Sequence, residues 1–229
     1  MPDIFNHSAE IRWFLPGQGL WEETLKWFRL QDQLPLYEEG KYEPETATGP
    51  FVKLERERTD EYLLIPDSDS AGLKQRQGKL EVKALVAGPR PFSLDDVAGR
   101  VDQWVKWSFE PSDKIGEQLA IELDQSGPWF EVIKRRYLQK YSFDSDSLVA
   151  VSPDKRPDTG CNIELTVIHV KVNVETWFTF GFEAFGPSGR VLALLDHAVQ
   201  HFFKAHGRAP IKLDGRDSLS YPGWLAIVR

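Results

Sequence analysis

Little in this chain could cross-link or anchor it. Cys161 is the single cysteine among 229 residues, which excludes an internal disulfide and any cysteine-based zinc cluster. No apolar run approaches the roughly 18 residues that span a bilayer. The opening MPDIFNHSAE has neither the basic leader nor the apolar stretch that directs export. A cytoplasmic protein with no membrane partner is the resulting expectation. An excess of positive charge is missing too. The formal net charge of −7 argues against a broad surface for a nucleic-acid duplex, while leaving room for a local basic pocket. No internal repeat and no low-complexity segment is found. Gly186-Pro-Ser-Gly189 lacks the Lys-Ser/Thr ending of a phosphate loop and reads as a turn before a helix.

What is present is an ordinary globular composition, 41% hydrophobic and 28% charged, able to bury a core within one domain over residues 1–229. Period-two alternation predicts strands at His7–Leu15, Phe51–Ile65 (interrupted near Thr59), Trp129–Tyr141, Asp144–Val151, Asn162–Asn173 and Glu175–Phe185. Helical spacing predicts α-helices at Leu20–Leu30 and about Arg190–Lys204. A third is predicted from Leu94 to about Trp107, capped by Ser93, with Val97, Val101, Trp104 and Val105 as its buried stripe. Asp32–Pro50 reads as an irregular loop, Lys114–Leu123 has no decisive pattern, and the tail Asp217–Val228 is expected to pack against the body.

The stretch Gly72–Leu85 organises the rest. It reads as a hairpin turning at Gly78 and finishing at Gly88-Pro89, with Lys74 and Arg76 on one face of the first strand. On the second strand Glu81 and Lys83 share a face, opposite Leu80, Val82 and Ala84. An amphipathic hairpin with solvated charges has the same pattern. Other strands repeat it, however. Arg12, Lys74, Arg76, Lys83, Lys134 and Arg136 form a basic set spaced by two, and Glu10, Glu81, Glu164 and Glu183 an acidic one. In an open sheet these would be the wet face. In a sheet curled into a barrel they would line a polar lumen, with helices packed outside. Enclosed charges need partners or a polyvalent ligand. A phosphate chain with a divalent cation answers both signs, since Lys and Arg bind phosphate oxygens and carboxylates bind Mg²⁺ or Mn²⁺.

Asp60-Glu-Tyr62 followed by Leu73-Lys-Gln-Arg76-Gln-Gly78-Lys-Leu80-Glu-Val82-Lys83 resembles a motif pair of the CYTH superfamily, the triphosphate tunnel metalloenzymes. Lys134-Arg-Arg136 is similar to the later K-x-R strand of that family, and Glu164 and Glu183 fall where its last two barrel strands carry acids. Glu10-Ile-Arg12 would occupy the opening E-x-E-x-K strand, with Arg12 in place of the second Glu and Phe14 in place of the Lys. Phe185 stands where many members have a further carboxylate. The resemblance spans about residues 8–186 and implies an α+β fold: an antiparallel, tunnel-like β-barrel with a polar lumen and packed flanking helices, plus a C-terminal helix and tail over 187–229.

The resemblance implies a metal-dependent phosphohydrolase acting on an inorganic, nucleoside or organic triphosphate. Arg12, Lys74, Arg76, Lys83, Lys134 and Arg136 would grip phosphates, and Glu10, Glu164 and Glu183 would hold Mg²⁺ or Mn²⁺. Glu164 and Glu183 would be the catalytic pair, and Glu81 would position a neighbouring base. The alternative is a non-catalytic binding protein for a phosphorylated metabolite or polyphosphate, because losing carboxylates and gaining Arg12 favours bare anions. An adenylyl cyclase is less favoured, as nothing specifies a nucleobase pocket. His197 and His201, four apart, read as packing or surface histidines, and Cys161 as a small strand residue.

Overall fold

The structure is a computed structural model and describes residues 6–17, 19–40, 50–66, 68–76, 78–110, 129–144, 147–170 and 175–228. Lys114–Leu123 lies outside the described residues, as do residues 171–173 of the strand expected at Asn162–Asn173. Eight antiparallel strands close a barrel: β1 (Asn6–Pro16), β4 (Arg58–Leu63), β5 (Ala71–Arg76), β6 (Lys79–Leu94), β7 (Val97–Phe109), β8 (Trp129–Asp144), β10 (Gly160–Val170) and β11 (Thr176–Gly186). Around the ring the order is β10-β11-β1-β7-β6-β5-β4-β8, and β8 pairs back onto β10. Two short strands, β2 (Leu36–Glu38) and β3 (Val52–Leu54), extend the sheet from β8, and β9 (Ser147–Val151) pairs with the far end of β8. The described helices are α1 (Trp21–Phe28), α2 (Val191–His206) and α3 (Tyr221–Val228). Among the described residues no helix is long and apolar enough to cross a membrane.

Period-two alternation divides every barrel strand between two environments. The outward residues of β1 (Ala9, Ile11, Trp13), β10 (Cys161, Ile163, Leu165) and β11 (Phe178, Phe180, Phe182, Ala184) are buried under α1 and α2. Helix α2 contributes Leu195, Val199 and Phe202 to that layer, and α1 contributes Trp27 and Phe28. Cys161 belongs to this core, where burial pushes its thiol well above the usual range. His197 and His201 meet the rings of Phe143 and Tyr141 edge-on, as packing residues do.

The inward faces change character along the barrel axis. On β1 the inward order is Glu10, Arg12, Phe14; on β10 it is Asn162, Glu164, Thr166, Ile168, Val170. On β8 it runs from Lys140 through Arg136 and Lys134 to Val132. The apolar ends converge, and α3 fills them. Trp224, wholly buried, stacks on Phe14 with ring centroids 4.9 Å apart, and Leu225 and Val228 join Tyr62, Val132, Ile168 and Val170 around it. The chain leading into α3 is fastened to the rim by Phe14 N–H donating to the Asp217 carbonyl at 2.8 Å and Leu219 N–H to the Arg12 carbonyl at 3.0 Å. The tail therefore stoppers one end of the barrel.

Two elements depart from the sequence expectation. The segment Leu94–Trp107 is not a helix: β6 runs to Leu94, Asp95 takes a left-handed φ of 50° in a tight turn, and β7 follows. Val97, Val101 and Val105 are spaced by four, a multiple of the strand period that also lies close to one helical turn, so those three positions fit either element. Trp104 decides it, because it faces the lumen while the valines face outward. β6 likewise passes through Gly88-Pro89, accommodating them by irregular pairing between Leu85 and Arg90. Within the expected loop Asp32–Pro50, Leu36–Glu38 forms β2; residues 41–49 lie outside the described residues.

Candidate functional site

The lumen left above α3 is a cavity of about 620 Å³. The barrel brings Glu10, Arg12, Lys74, Arg76, Glu81, Lys83, Lys134, Arg136, Glu164 and Glu183 into its wall, so all the charged residues singled out from the sequence meet in one cavity. It also holds cations that sequence reasoning did not place in the set: Arg58, Lys79, Lys106, Lys140 and Arg156. In all, eleven Lys and Arg face six Asp and Glu across it. A protein with net charge −7 thus concentrates a positive excess in this cavity.

Register explains how the charges meet. Gly181 on β11 stands opposite Arg12 on one side and Glu164 on the other. A Cβ there would lie 2.9 Å from the Ile11 carbonyl oxygen and 3.1 Å from the Arg12 Cβ. With no side chain at 181, the Arg12 guanidinium crosses the strand and donates from Nη2 to Glu164 Oε2 at 2.8 Å. Its Nη1 donates to Thr179 Oγ1 at 3.2 Å. Arg136 donates to the other oxygen of Glu164 at 2.5 Å. It also grips Glu55 in a fork, Nη2 to Oε1 at 2.6 Å and Nε to Oε2 at 2.8 Å. Burial pushes Glu164 towards neutrality, but Arg136 and then Arg12 outweigh it and hold the carboxyl well below its ordinary range. Glu164 is thus an ionised counter-ion with both oxygens engaged.

A second cluster centres on Asp60, which is wholly buried. Lys134 Nζ lies 3.1 Å from its Oδ2, Lys74 Nζ 3.9 Å, and Arg58 Nε donates to its Oδ1 at 3.2 Å. Glu81 accepts from Lys74 at 2.8 Å and Arg76 at 2.7 Å, so this one carboxylate orients both hairpin cations. Burial disfavours the ammonium of Lys134, only partly offset by Asp60, and lowers it to about 7; burial likewise lowers Lys74 to about 8, with Glu81 in opposition. Lys134 also donates to the Tyr62 hydroxyl and sits 3.8 Å above the ring of Tyr221 from α3.

The third cluster lies on the far wall. Glu10 and Glu183 are directly opposite across β1 and β11 and share a hydrogen bond. Burial raises Glu10, Lys83 opposes this, and the neighbouring Glu183 raises it further. Glu183 is lowered, with Lys106 and Lys83 outweighing burial. Two carboxylates this close ionise unequally, Glu10 being shifted up and Glu183 down. Lys83, paired with Glu10, stands opposite Lys106 in the β6–β7 register, two like charges face to face.

Among the described residues no three His, Cys, Asp or Glu side chains come together as a metal site. Glu164 is held by two arginines, 28 and 152 positions away in the chain. Glu10 and Glu183 remain as an adjacent pair. Two carboxylates suffice for Mg²⁺ when phosphate oxygens and water complete the octahedron, so these two residues fit a divalent cation carried with a phosphorylated ligand.

No protein-family model and no curated protein matches this sequence. Among solved structures, the RNA triphosphatase Pct1 of S. pombe shares 10% identity with the chain, covering 88% of it and 80% of the neighbour at a TM-score of 0.36, a likeness too distant to assign family or activity.

Proposed function

We propose that the lumen binds the triphosphate moiety of an inorganic, nucleoside or organic triphosphate and hydrolyses a phosphoanhydride bond in it, as a divergent member of the triphosphate tunnel enzymes. The observation that carries this is the enclosed cationic excess: eleven cationic and six anionic side chains in about 620 Å³. Their electrostatic demand is met by a compact polyanion and by little else.

In this reading Arg12, Lys74, Arg76, Lys83, Lys134 and Arg136 contact phosphate oxygens, exchanging part of their hold on Asp60, Glu55, Glu81 and Glu164 for the ligand. Asp60, Glu55, Glu81 and Glu164 hold Arg12, Lys74, Arg76, Lys134 and Arg136 in place before the ligand arrives, which is the preorganisation that charge stabilisation requires. Glu10 and Glu183 would hold Mg²⁺ or Mn²⁺, which when bound would offset charge on the phosphoryl oxygens and lower the pKa of a coordinated water. One finding favours binding without cleavage as a second reading: Glu164, expected among the metal ligands, is tied up by Arg12 and Arg136.

Phosphate release from tripolyphosphate or ATP with Mg²⁺ or Mn²⁺ separates the two readings. Hydrolysis is expected to need the divalent ion and to vanish in Glu183→Gln. Thermal stabilisation by tripolyphosphate without turnover would establish the binder, and neither effect would overturn both. Affinity carries a pH signature. A lysine binds an anion only when protonated, so affinity for tripolyphosphate should fall as pH rises through about 7 to 8, where Lys134 and then Lys74 lose their protons. In Lys134→Met, binding should be weaker at pH 6.5 and its decline up to about pH 7.5 should largely disappear.

A further inference from the structure

The geometry points to a seat for a free terminal phosphoryl group at the stoppered end of the lumen, built from Arg12, Lys134 and Thr166 over the ring of Tyr221. This deepens the proposed function by defining how a substrate lies: end-on, with its last phosphate against α3 and the rest directed to the open mouth. Each strand contributing to this floor changes there from polar or ionic to apolar. Arg12 precedes Phe14, Lys134 follows Val132, and Thr166 precedes Ile168, the apolar member of each pair belonging to the cluster around Trp224. Tyr221 closes the floor, its ring stacked on Tyr62 and lying below Lys134 at 3.8 Å and Arg12 at 5.3 Å.

An independent observation picks out Thr166. It is 1% exposed and lines the cavity, yet its Oγ1 has no hydrogen-bond partner among the described residues. A buried hydroxyl without a partner is destabilising, and a terminal phosphate, richer in acceptor oxygens than a bridging one, would satisfy it. Beyond this layer, among the described residues, Trp224, Leu225 and Val228 pack inside the barrel with Phe14, Tyr62, Val132, Ile168 and Val170, and a phosphate chain passing that way would have to displace them. The opposite mouth, by contrast, is rimmed by the exposed side chains of Lys79, Glu110 and Arg156. Any group esterified to the phosphate chain must lie there, so the lumen would take triphosphates with at least one unsubstituted end.

Calorimetry with triphosphate carrying a methyl ester on one terminus or on both tests this. The wild-type protein should bind the monoester more tightly than the diester by roughly tenfold or more, the scale of a lost hydrogen bond to a charged group. Thr166→Val should keep its melting temperature, since no partner is lost, weaken monoester binding by roughly tenfold and erase the preference. Equal binding of the two esters by the wild type, or wild-type binding by Thr166→Val, would overturn the end-on seat while leaving triphosphate binding intact. If neither ester nor tripolyphosphate binds, the lumenal function and the seat fall together.

Discussion

Glu164→Gln is expected to destabilise the protein by about 3–5 kcal/mol, the usual consequence of removing one partner from a buried ion pair, and at the same time to tighten its grip on metal-free tripolyphosphate. The glutamine oxygen can still accept from one of the two guanidinium groups, but its amide N–H₂ turns a donor towards the other and the charge that neutralised both is gone. A polyanion then supplies the missing charge. Ligand present well above its dissociation constant should restore much of the lost stability, because whatever binds only the native state stabilises it by mass action. Urea unfolding with and without tripolyphosphate reads both effects. A Glu164 that acted mainly as a metal ligand would behave differently: the substitution would abolish metal-dependent turnover and leave apo stability nearly unchanged.

Trp224→Ala should cost about 3–5 kcal/mol, as for other wholly buried large side chains. Helix α3 spans only eight residues, too few to hold together without tertiary packing. Its attachment rests on Trp224 against Phe14, on the edge-on contact with Trp177 at 6.0 Å, and on Leu225 and Val228 beside it. Losing that anchor should release the segment from about Asp217 onward and open the floor beneath Lys134. Limited proteolysis is expected to trim the C-terminus of the variant before cutting the barrel, together with a lower melting temperature. An unchanged melt and an intact terminus would mean that α3 is not what closes the lumen.

The lumen was legible in the sequence because strand alternation writes it plainly. Lys74 and Arg76, Glu81 and Lys83, and Lys134 and Arg136 are each two apart, and a closed sheet sends such pairs to one side. Arg58 was within reach of the same logic, since 58, 60 and 62 alternate into the lumen with Asp60 and Tyr62. Lys106 was hidden by the helical reading of Val97–Val105, where a spacing of four fits both periods. Two features could not be read from local pattern. The engagement of Glu164 depends on the absence of a side chain at Gly181, a register relation across three strands. The stopper is assembled from Phe14, Tyr62, Val132, Ile168 and Trp177, one residue from each of five strands, and its own sequence contains Pro222 and Gly223, both poor helix formers. Phe14, which departs from the opening motif, is the first member of that apolar floor.

The central claim, that the barrel interior is a phosphate-chain receptor, is tested most directly by titrating tripolyphosphate calorimetrically into the wild type and into Lys83→Met/Lys106→Met. These two lysines face each other across β6 and β7, and like charges directly opposite in a sheet are destabilising. Removing both relieves that repulsion but also takes the counter-charges from Glu10 and Glu183, so the double variant is expected to melt lower, and a cooperative melt establishes that it is folded before titration. The account predicts one tripolyphosphate per wild-type chain and at least about tenfold weaker binding in the double variant, since each charge-assisted hydrogen bond lost is worth roughly 1.5–3 kcal/mol. Binding to a folded double variant at wild-type strength, or no binding to the wild type at all, would contradict it.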